Sequence, residues 1–355
     1  MRIGVLLLNF GEPESYDHDS VVAFLERIFV VNAPLMGEAT PEQVLARSRK
    51  LAEDRAPGLI EEYEEIGGSP LHQQARDQAE ALEEELRRRG YDAIVLLGMQ
   101  FTEPTISEAV ATACDAGLDR LVAMPIYPLP GPSTTFAALA ELERAIEKSK
   151  ATMAVHQISG WHRHPDYVRF RADGIRELLN RDGLTLDDGG RTKLVFSAHG
   201  TPIKYLEEGS HYGEYVIDFC AAVAADLGIT DYAIGYQNHT NRPDVLWTQP
   251  DVDRLVAEID ADRIVVEPVS FMHEQSETLA ELDHELREEA EERGLGFHRV
   301  PIRHAAPAFI RLLAGVVDQV LSGDPGGISA ERTLRPCRCK PTDNTVCVAA
   351  PPRGT

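Results

Sequence analysis

The stretch that decides the fold is Lys193-Leu194-Val195-Phe196-Ser197-Ala198-His199-Gly200-Thr201-Pro202. It begins as a run of apolar, β-branched, aromatic and then small residues, the pattern of a buried strand. His199 ends the run, and Gly200 and Pro202 force a turn. One imidazole is therefore expected at the carboxyl end of a strand. In open α/β sheets the crevice beyond those ends is where ligands bind. A lone histidine is more often a satisfied structural residue, so the weight of this one depends on the rest of the chain.

Outward from this stretch, strand and helix signals alternate along the whole sequence, which predicts a parallel α/β protein. Strands are expected at 3–8, 93–98, 121–125, 153–158, 193–199, 232–236, 263–268 and just before 300. Helices are expected at 19–29, 41–54, 70–89, 105–116, to about 148, 165–179, 212–227, 251–259, 275–293 and 306–321. Pro57 and Gly58 predict a break before a further helical turn to Ile66. Ser69 and Pro70 suit an N-cap and first turn, and Gly90 a stop. The tail after 322, rich in Gly, Pro and Cys, is expected to be loosely ordered.

An internal repeat is visible. Leu8-Asn9-Phe10-Gly11-Glu12-Pro13 parallels Ser197-Ala198-His199-Gly200-Thr201-Pro202, and 119–126 parallels 262–269. Gly98-Met99-Gln100-Phe101-Thr102 and Gly235-Tyr236-Gln237-Asn238-His239 stand in matching places before the latter pair. Two related halves are expected, with corresponding strand ends facing a shared cleft.

The chain has 355 residues, enough for two domains, and 26% of them are charged. The net charge is -23. That disfavours nucleic acid as a partner, because phosphate binding needs a basic face. Only six of the 35 basic residues are Lys. No apolar run approaches the roughly 18 residues of a membrane span. Five cysteines do not make a disulfide framework, and a cytoplasmic location is expected. Gly67-Gly68-Ser69 lacks the Lys-Ser/Thr of a phosphate loop, and no Gly-x-Gly-x-x-Gly follows the first strand, which disfavours kinase and dehydrogenase chemistry.

The strongest local pattern lies in 271–285. Glu277, Glu281 and Glu285 stand four apart and form one stripe of a helix. That helix starts after a strand, where His199 should also lie. A solvated acidic face would give the same pattern in so acidic a protein. A functional row would attract a divalent cation and pass it along, with an imidazole opposite to bind metal or accept protons.

In combination these motifs resemble the ferrochelatases, the enzymes that insert Fe2+ into a porphyrin. The resemblance runs from about Ile3 to Leu321 through Leu-Asn-Phe-Gly-Glu-Pro at 8–13, Gly-Gly-Ser-Pro at 67–70, Pro-x-Tyr-Pro at 125–128 with Ser133-Thr134-Thr135, Phe-Ser-Ala-His at 196–199, Trp247 with Pro250, and Glu-Thr-Leu-x-Glu-Leu-Asp at 277–283. It implies two Rossmann-like, chelatase-type domains with parallel sheets and a porphyrin cleft between them. The halves would be 1–155 and 156–304, with a helix at 305–322 bracing the first half and a tail at 323–355. It implies His199 and Glu277 as the catalytic, metal-handling pair, and Glu281 and Glu285 as acidic residues leading away. Phe10, Arg55, Tyr63, Ser69 and Trp247 are the implied porphyrin contacts. The substrates would be ferrous iron and protoporphyrin or coproporphyrin, with peripheral membrane contact left open. Gln275 and Gln100 depart from the family pattern of a second histidine and of an Arg before an aromatic. Gly200 stands where Ser is usual, and Phe10 where Met or Tyr is. A cobalt- or nickel-inserting chelatase, or a carrier that binds porphyrin without turnover, would share the remaining landmarks.

Cys337, Cys339 and Cys347 form C-x-C-x7-C, a thiolate spacing suited to zinc or iron–sulfur. The resemblance offers a [2Fe-2S] cluster, with a fourth ligand usually placed where Pro132 stands here. Cys114, late in a helix, is preferred over mid-helix Cys220 as that fourth ligand. A redox-inert tail is the alternative.

Overall fold

The computed structural model describes residues 2–37, 39–237, 245–322, 334–337, 339–340, 342 and 344–348. Its elements in chain order are β1 (Arg2–Asn9), α1 (His18–Val31), α2 (Pro41–Glu65), α3 (Leu71–Arg88), β2 (Asp92–Met99), α4 (Ile106–Asp115), β3 (Arg120–Pro125), α5 (Ala137–Ser149), β4 (Ala154–Gly160), α6 (Pro165–Asp182), β5 (Thr192–His199), α7 (Ile203–Glu207), α8 (Tyr212–Leu227), β6 (Tyr232–Gln237), α9 (Val252–Glu258), β7 (Arg263–Pro268), α10 (Ser276–Leu279), α11 (Arg287–Glu292), β8 (Gly296–Arg299), α12 (Pro307–Leu321), β9 (Leu334–Pro336) and β10 (Thr345–Val348).

The strands form two sheets. The first is ordered β2-β1-β3-β4-β10-β9 and the second β6-β5-β7-β8. All pairings are parallel except β9 with β10. The repeat read from sequence is a repeat of topology and register. Leu8 lies opposite Gly98 and Pro125, as Ser197 lies opposite Gly235 and Pro268. Single hydrogen bonds recur: Ile126 N donates to Leu8 O and Val269 N to Ser197 O, both at 2.8 Å. Gly98 and Gly235 are required by close packing. A Cβ there would stand 3.2 Å from Ile106 Cα and 2.8 Å from Val252 Cα. Phe10 thus holds in the first half the place of His199 in the second. Asn238 and His239, the end of one repeated segment, lie outside the described residues.

Strand residues such as Leu6, Leu7, Val195 and Phe196 are wholly buried, as a sheet covered on both faces requires. The largest apolar cluster runs through both halves and includes Val122, Phe196 and Phe309. Phe309, on α12, packs against Trp161 and Phe170. At the other side of that helix Arg89 donates to Arg311 O at 3.0 Å and pairs with Asp318. These bonds fasten α12 to the C-terminal end of α3.

Four expectations are corrected. The break at Pro57 does not occur, and α2 runs through it. Ala52, Ala56, Leu59 and Tyr63 form one buried stripe with Val21, Val22 and Leu25 of α1. That packing outweighs the one hydrogen bond a proline removes. The 275–293 helix is interrupted by a π-helical turn, Glu281–Leu286, in which Glu285 N reaches back to Ala280 O at 3.0 Å. The described part of the tail is not loose. β10 pairs with β4, and β9 pairs with β10. These strands have only four and three residues, too short to give a readable period. β4 also runs to Gly160, beyond the limit expected for the first half at 155.

Candidate active site

The loops after β1 and β3 meet the loops after β5 and β7. Asn9 Nδ2, at the end of β1, is 3.3 Å from His273 Nδ1, beyond β7. His199 ends β5 and is held from several directions. Its N–H donates to Ser270 Oγ at 2.9 Å, and its carbonyl accepts from Tyr212 Oη at 3.0 Å. Its Nδ1–H donates to Gly200 O at 2.6 Å, which turns Nε2 towards Glu277 Oε1, 3.1 Å away. The imidazole is 36% exposed and the Glu277 side chain 17%. Burial disfavours the imidazolium. The Glu277 charge and hydrogen bond, the Gly200 carbonyl and the Glu281 charge outweigh it and lift the group to about 9. At neutral pH the two therefore form an ion pair that shares a proton.

Glu277 opens α10, where a helix amino end favours a carboxylate. Gln275 Nε2 donates to its second oxygen. Gln237 is the hub beneath. Its Nε2 donates to Glu277 O at 2.7 Å and to Glu281 Oε2 at 3.0 Å, and its Oε1 accepts from Ser197 Oγ at 2.7 Å. Burial and the Glu277 charge raise Glu281 well above the usual carboxylate range. Glu285 is exposed. Partial burial and the Glu62 and Glu65 charges raise it, opposed by Arg55. The three carboxylates thus step from the half-open pair to the surface. The π turn, a device frequent at functional sites, adds a residue to the turn that carries Glu281 and Glu285.

The remaining expected contacts sort unevenly. Phe10 is half-buried against Phe101, with ring centroids 4.6 Å apart. Arg55 is exposed and paired to Glu62 at 2.6 Å. Trp247 bridges backbone with Pro202, beside the His199 turn. Tyr63 is a correction as a direct contact. It is wholly buried, and its hydroxyl donates to Glu12 at 3.1 Å. Ser69 also donates to Glu12 through its hydroxyl. Glu12 is 3% exposed and takes a further bond from Ser276 of the second half. Burial raises its pKa above the usual range despite those donors. Glu12 was missed because within the repeated stretch 8–13 only Phe10 was given a role. Gln237 was missed too, although the repeat pairs it with Gln100. Gln100 does comparable work, accepting from Tyr127 Oη at 2.8 Å. His273 is no second site imidazole. It is 2% exposed, and burial with neighbouring His304 and His72 lowers it to about 3. Among the described residues no group of three or more His, Cys, Asp or Glu is arranged to hold one metal ion.

The tail cysteines do come together. Cys337 lies against both Cys339 and Cys347, and hydrogen bonds from those two, with Ser159 and Lys340, pull its thiol far down. Cys114 is not their neighbour, which corrects the preferred fourth ligand. Its sulfur meets Ser149 at 3.8 Å, before β4 begins. Cys347 pairs with Gly160, at the far end of the seven-residue β4, a strand roughly 20 Å long. Cys220 is wholly buried in the core, where burial and the Glu267 charge push its thiol up.

Two parallel sheets, the second carrying a histidine–carboxylate pair beyond its strand ends, make a chelatase-type architecture. A solved structure of SirB from Bacillus subtilis with Fe3+ shares the fold at a TM-score of 0.51 and 9% identity, covering 88% of this chain and 94% of that one. A model of the Ferrochelatase family matches residues 2–321. Ferrochelatases of Nostoc sp. and Picosynechococcus sp. are 33% and 35% identical, covering 90% and 91% of this chain and 83% and 84% of theirs. The chain belongs to the ferrochelatase family. It is a metal-inserting lyase of haem biosynthesis whose substrates are a porphyrin and ferrous iron. No described helix is long and apolar enough to cross a membrane.

Proposed function

We propose that His199 and Glu277 are the groups that handle iron and pyrrole protons, and that Glu281 and Glu285 connect them with solvent. The observation that carries this is the 3.1 Å contact between His199 Nε2 and Glu277 Oε1 at the strand ends, with Glu281 bonded behind it through Gln237. In insertion two pyrrole N–H bonds break, four Fe–N bonds form, two protons leave and iron stays ferrous. The pair can take one such proton only after losing the one it shares, and the carboxylate row gives that proton a route. Phe10, Arg55, Ser69 and Trp247 would hold the macrocycle. A cleft that holds it bent would favour the transition state over the flat substrate. We place the protein in the cytoplasm, with no nucleic-acid partner and any membrane contact peripheral. A porphyrin carrier without turnover, the reading that Gln275 and Gln100 would favour, predicts binding without insertion. Steady-state Fe2+ insertion, run anaerobically with protoporphyrin and coproporphyrin side by side, tests the reading. Binding of both without insertion of iron into either would refute it.

The acidic row has its own test. Glu285→Gln is expected to raise the KM for Fe2+ several-fold and leave that for porphyrin unchanged. Stability should shift by about 0.5 kcal/mol or less. A solvated face would leave both constants where they were.

We also propose that Cys337, Cys339 and Cys347 hold a [2Fe-2S] cluster, which would supply one-electron chemistry and tie β9 and β10 to the first sheet. The sulfur of Cys337 accepts from Ser159 Oγ at 3.0 Å and from Lys340 N at 3.3 Å, the hydrogen bonds a bound thiolate keeps. Protein purified without oxygen should be coloured and carry about two irons and two sulfides per chain. Cys347→Ser should bleach it.

A further inference from the structure

A carboxylate that the insertion chemistry does not use lies buried between the two halves. Glu12 is 3% exposed, in the turn that follows β1. Its counterpart in the internal repeat is Thr201. That residue is neutral and is tied within its own half, where Thr201 N donates to Thr248 Oγ1 at 3.1 Å and Thr248 N to Thr201 O at 3.0 Å. The turn itself therefore does not call for a carboxylate. Burying one is costly unless its oxygens are fully bonded. An ionised carboxylate has two oxygens with about four acceptor sites. Here the hydroxyls of Tyr63, Ser69 and Ser276 and the backbone N–H of Ser276 meet them. Among the described residues none of these partners is a cation.

The donors come from both halves. Oε2 takes the hydroxyl of Ser69, in the turn before α3. Oε1 takes Ser276, 264 residues further along the chain. Ser276 is the first residue of α10, and Glu277 is the second. That helix has only four residues, too few to be stable by itself, so its place is set by what holds it. From the second half, Gln237 holds the Glu277 carbonyl. From the first half, Asn9 meets His273, Gln74 Oε1 accepts from Glu274 N at 2.8 Å, and Glu12 takes Ser276. Of these three ties, the one at Glu12 reaches the residue next to Glu277 and also holds Ser69. We propose that Glu12 is a positioning residue for metal insertion, which acts through Ser276 to fix Glu277 at a set distance from the wall that carries Ser69. The inference rests on the roles given to Glu277 and Ser69 above. Without Glu12 the carboxylate of Glu277 stays in the site but can shift, and a displacement of about 1 Å at a reacting group can slow a reaction by about 10²-fold.

The experiment uses the full chain under anaerobic conditions, wild type beside Glu12→Ala, Glu12→Gln, Ser276→Ala, the double variant Glu12→Ala with Ser276→Ala, and Glu277→Gln. It reads kcat, the KM of each substrate and, by circular dichroism, the folded fraction. Glu12→Ala should lower kcat per folded chain by about 10- to 100-fold. The KM values for Fe2+ and porphyrin should stay within about twofold, as for an interaction felt in the transition state alone. Glu12→Gln keeps the length and the planar fork of the side chain and should recover most of the rate. Ser276→Ala should lower kcat several-fold in the same way. The double variant should be no slower than Glu12→Ala, because both changes cut one connection. Normal turnover per folded chain in Glu12→Ala overturns the proposal, and so does a loss confined to KM. A Glu12→Gln enzyme as slow as Glu12→Ala overturns it in favour of a proton-handling role. If Glu12→Ala does not fold, Ser276→Ala decides, with an unmoved kcat overturning the proposal. Near-normal turnover in Glu277→Gln overturns the reading of the site and the proposal with it. An inactive Glu277→Gln beside a normal Glu12→Ala removes the role of Glu12 alone.

Discussion

His199→Ala is expected to slow ferrous-iron insertion by roughly 10²–10⁴-fold, the scale on which a positioned acid–base group acts, while porphyrin binding persists. The reason is local. The imidazole is the group that Gly200 O turns towards Glu277. His273 is buried against Asn9. The residues expected to hold the macrocycle come from other elements. Steady-state insertion rates and porphyrin fluorescence quenching, measured on the same preparation, separate the two effects. Near-normal turnover in the variant would sink the assignment of His199. Loss of porphyrin binding would mean that its role is to hold the macrocycle.

Arg171→Met is expected to destabilise the fold by about 3–5 kcal/mol, the cost of leaving a buried charge without its partner. Arg171 is 6% exposed and Glu267, on β7, is 0%. The guanidinium pairs with Glu267 and also donates to Pro268 O at 2.6 Å, Tyr167 Oη at 3.1 Å and Phe271 O at 3.3 Å. It therefore fastens α6 to the strand and loop that lead to Glu277. Chemical denaturation followed by circular dichroism measures the loss. The double variant Arg171→Met with Glu267→Met should recover most of it, because a packed apolar pair can replace a buried ion pair at little cost. If the single change costs less than about 1 kcal/mol, Glu267 is not held as a buried charge.

Much of this was legible in the sequence because it is periodic or repeated. The order of strands, the duplication and the placing of His199 and Glu277 near one another follow from patterns several residues long. What escaped depends on distant partners. Glu12 looks like any turn residue until Tyr63, Ser69 and Ser276 close around it. Pro57 reads as a breaker because only the packing of α2 on α1 overrides it. The π turn leaves no mark that a four-residue spacing of glutamates would show. Thr345-Val346-Cys347-Val348 has a strand's composition but no length. The choice of Cys114 failed for the same reason, since spacing along a helix says nothing about which end of a sheet it faces.

The pairing of β10 with β4 has a consequence for biogenesis. As the ribosome makes the chain, β4 emerges before its outer neighbour β10, which follows the whole second sheet. Throughout that interval β4 presents an open row of N–H and C=O groups, the kind of edge through which nascent chains join one another. Closing it has to wait until the second sheet has been made. Under the cluster reading that closure also waits on iron and sulfide, so iron-starved cells should accumulate chains with an unprotected edge. Iron supply would then set the yield of sound enzyme as well as its substrate.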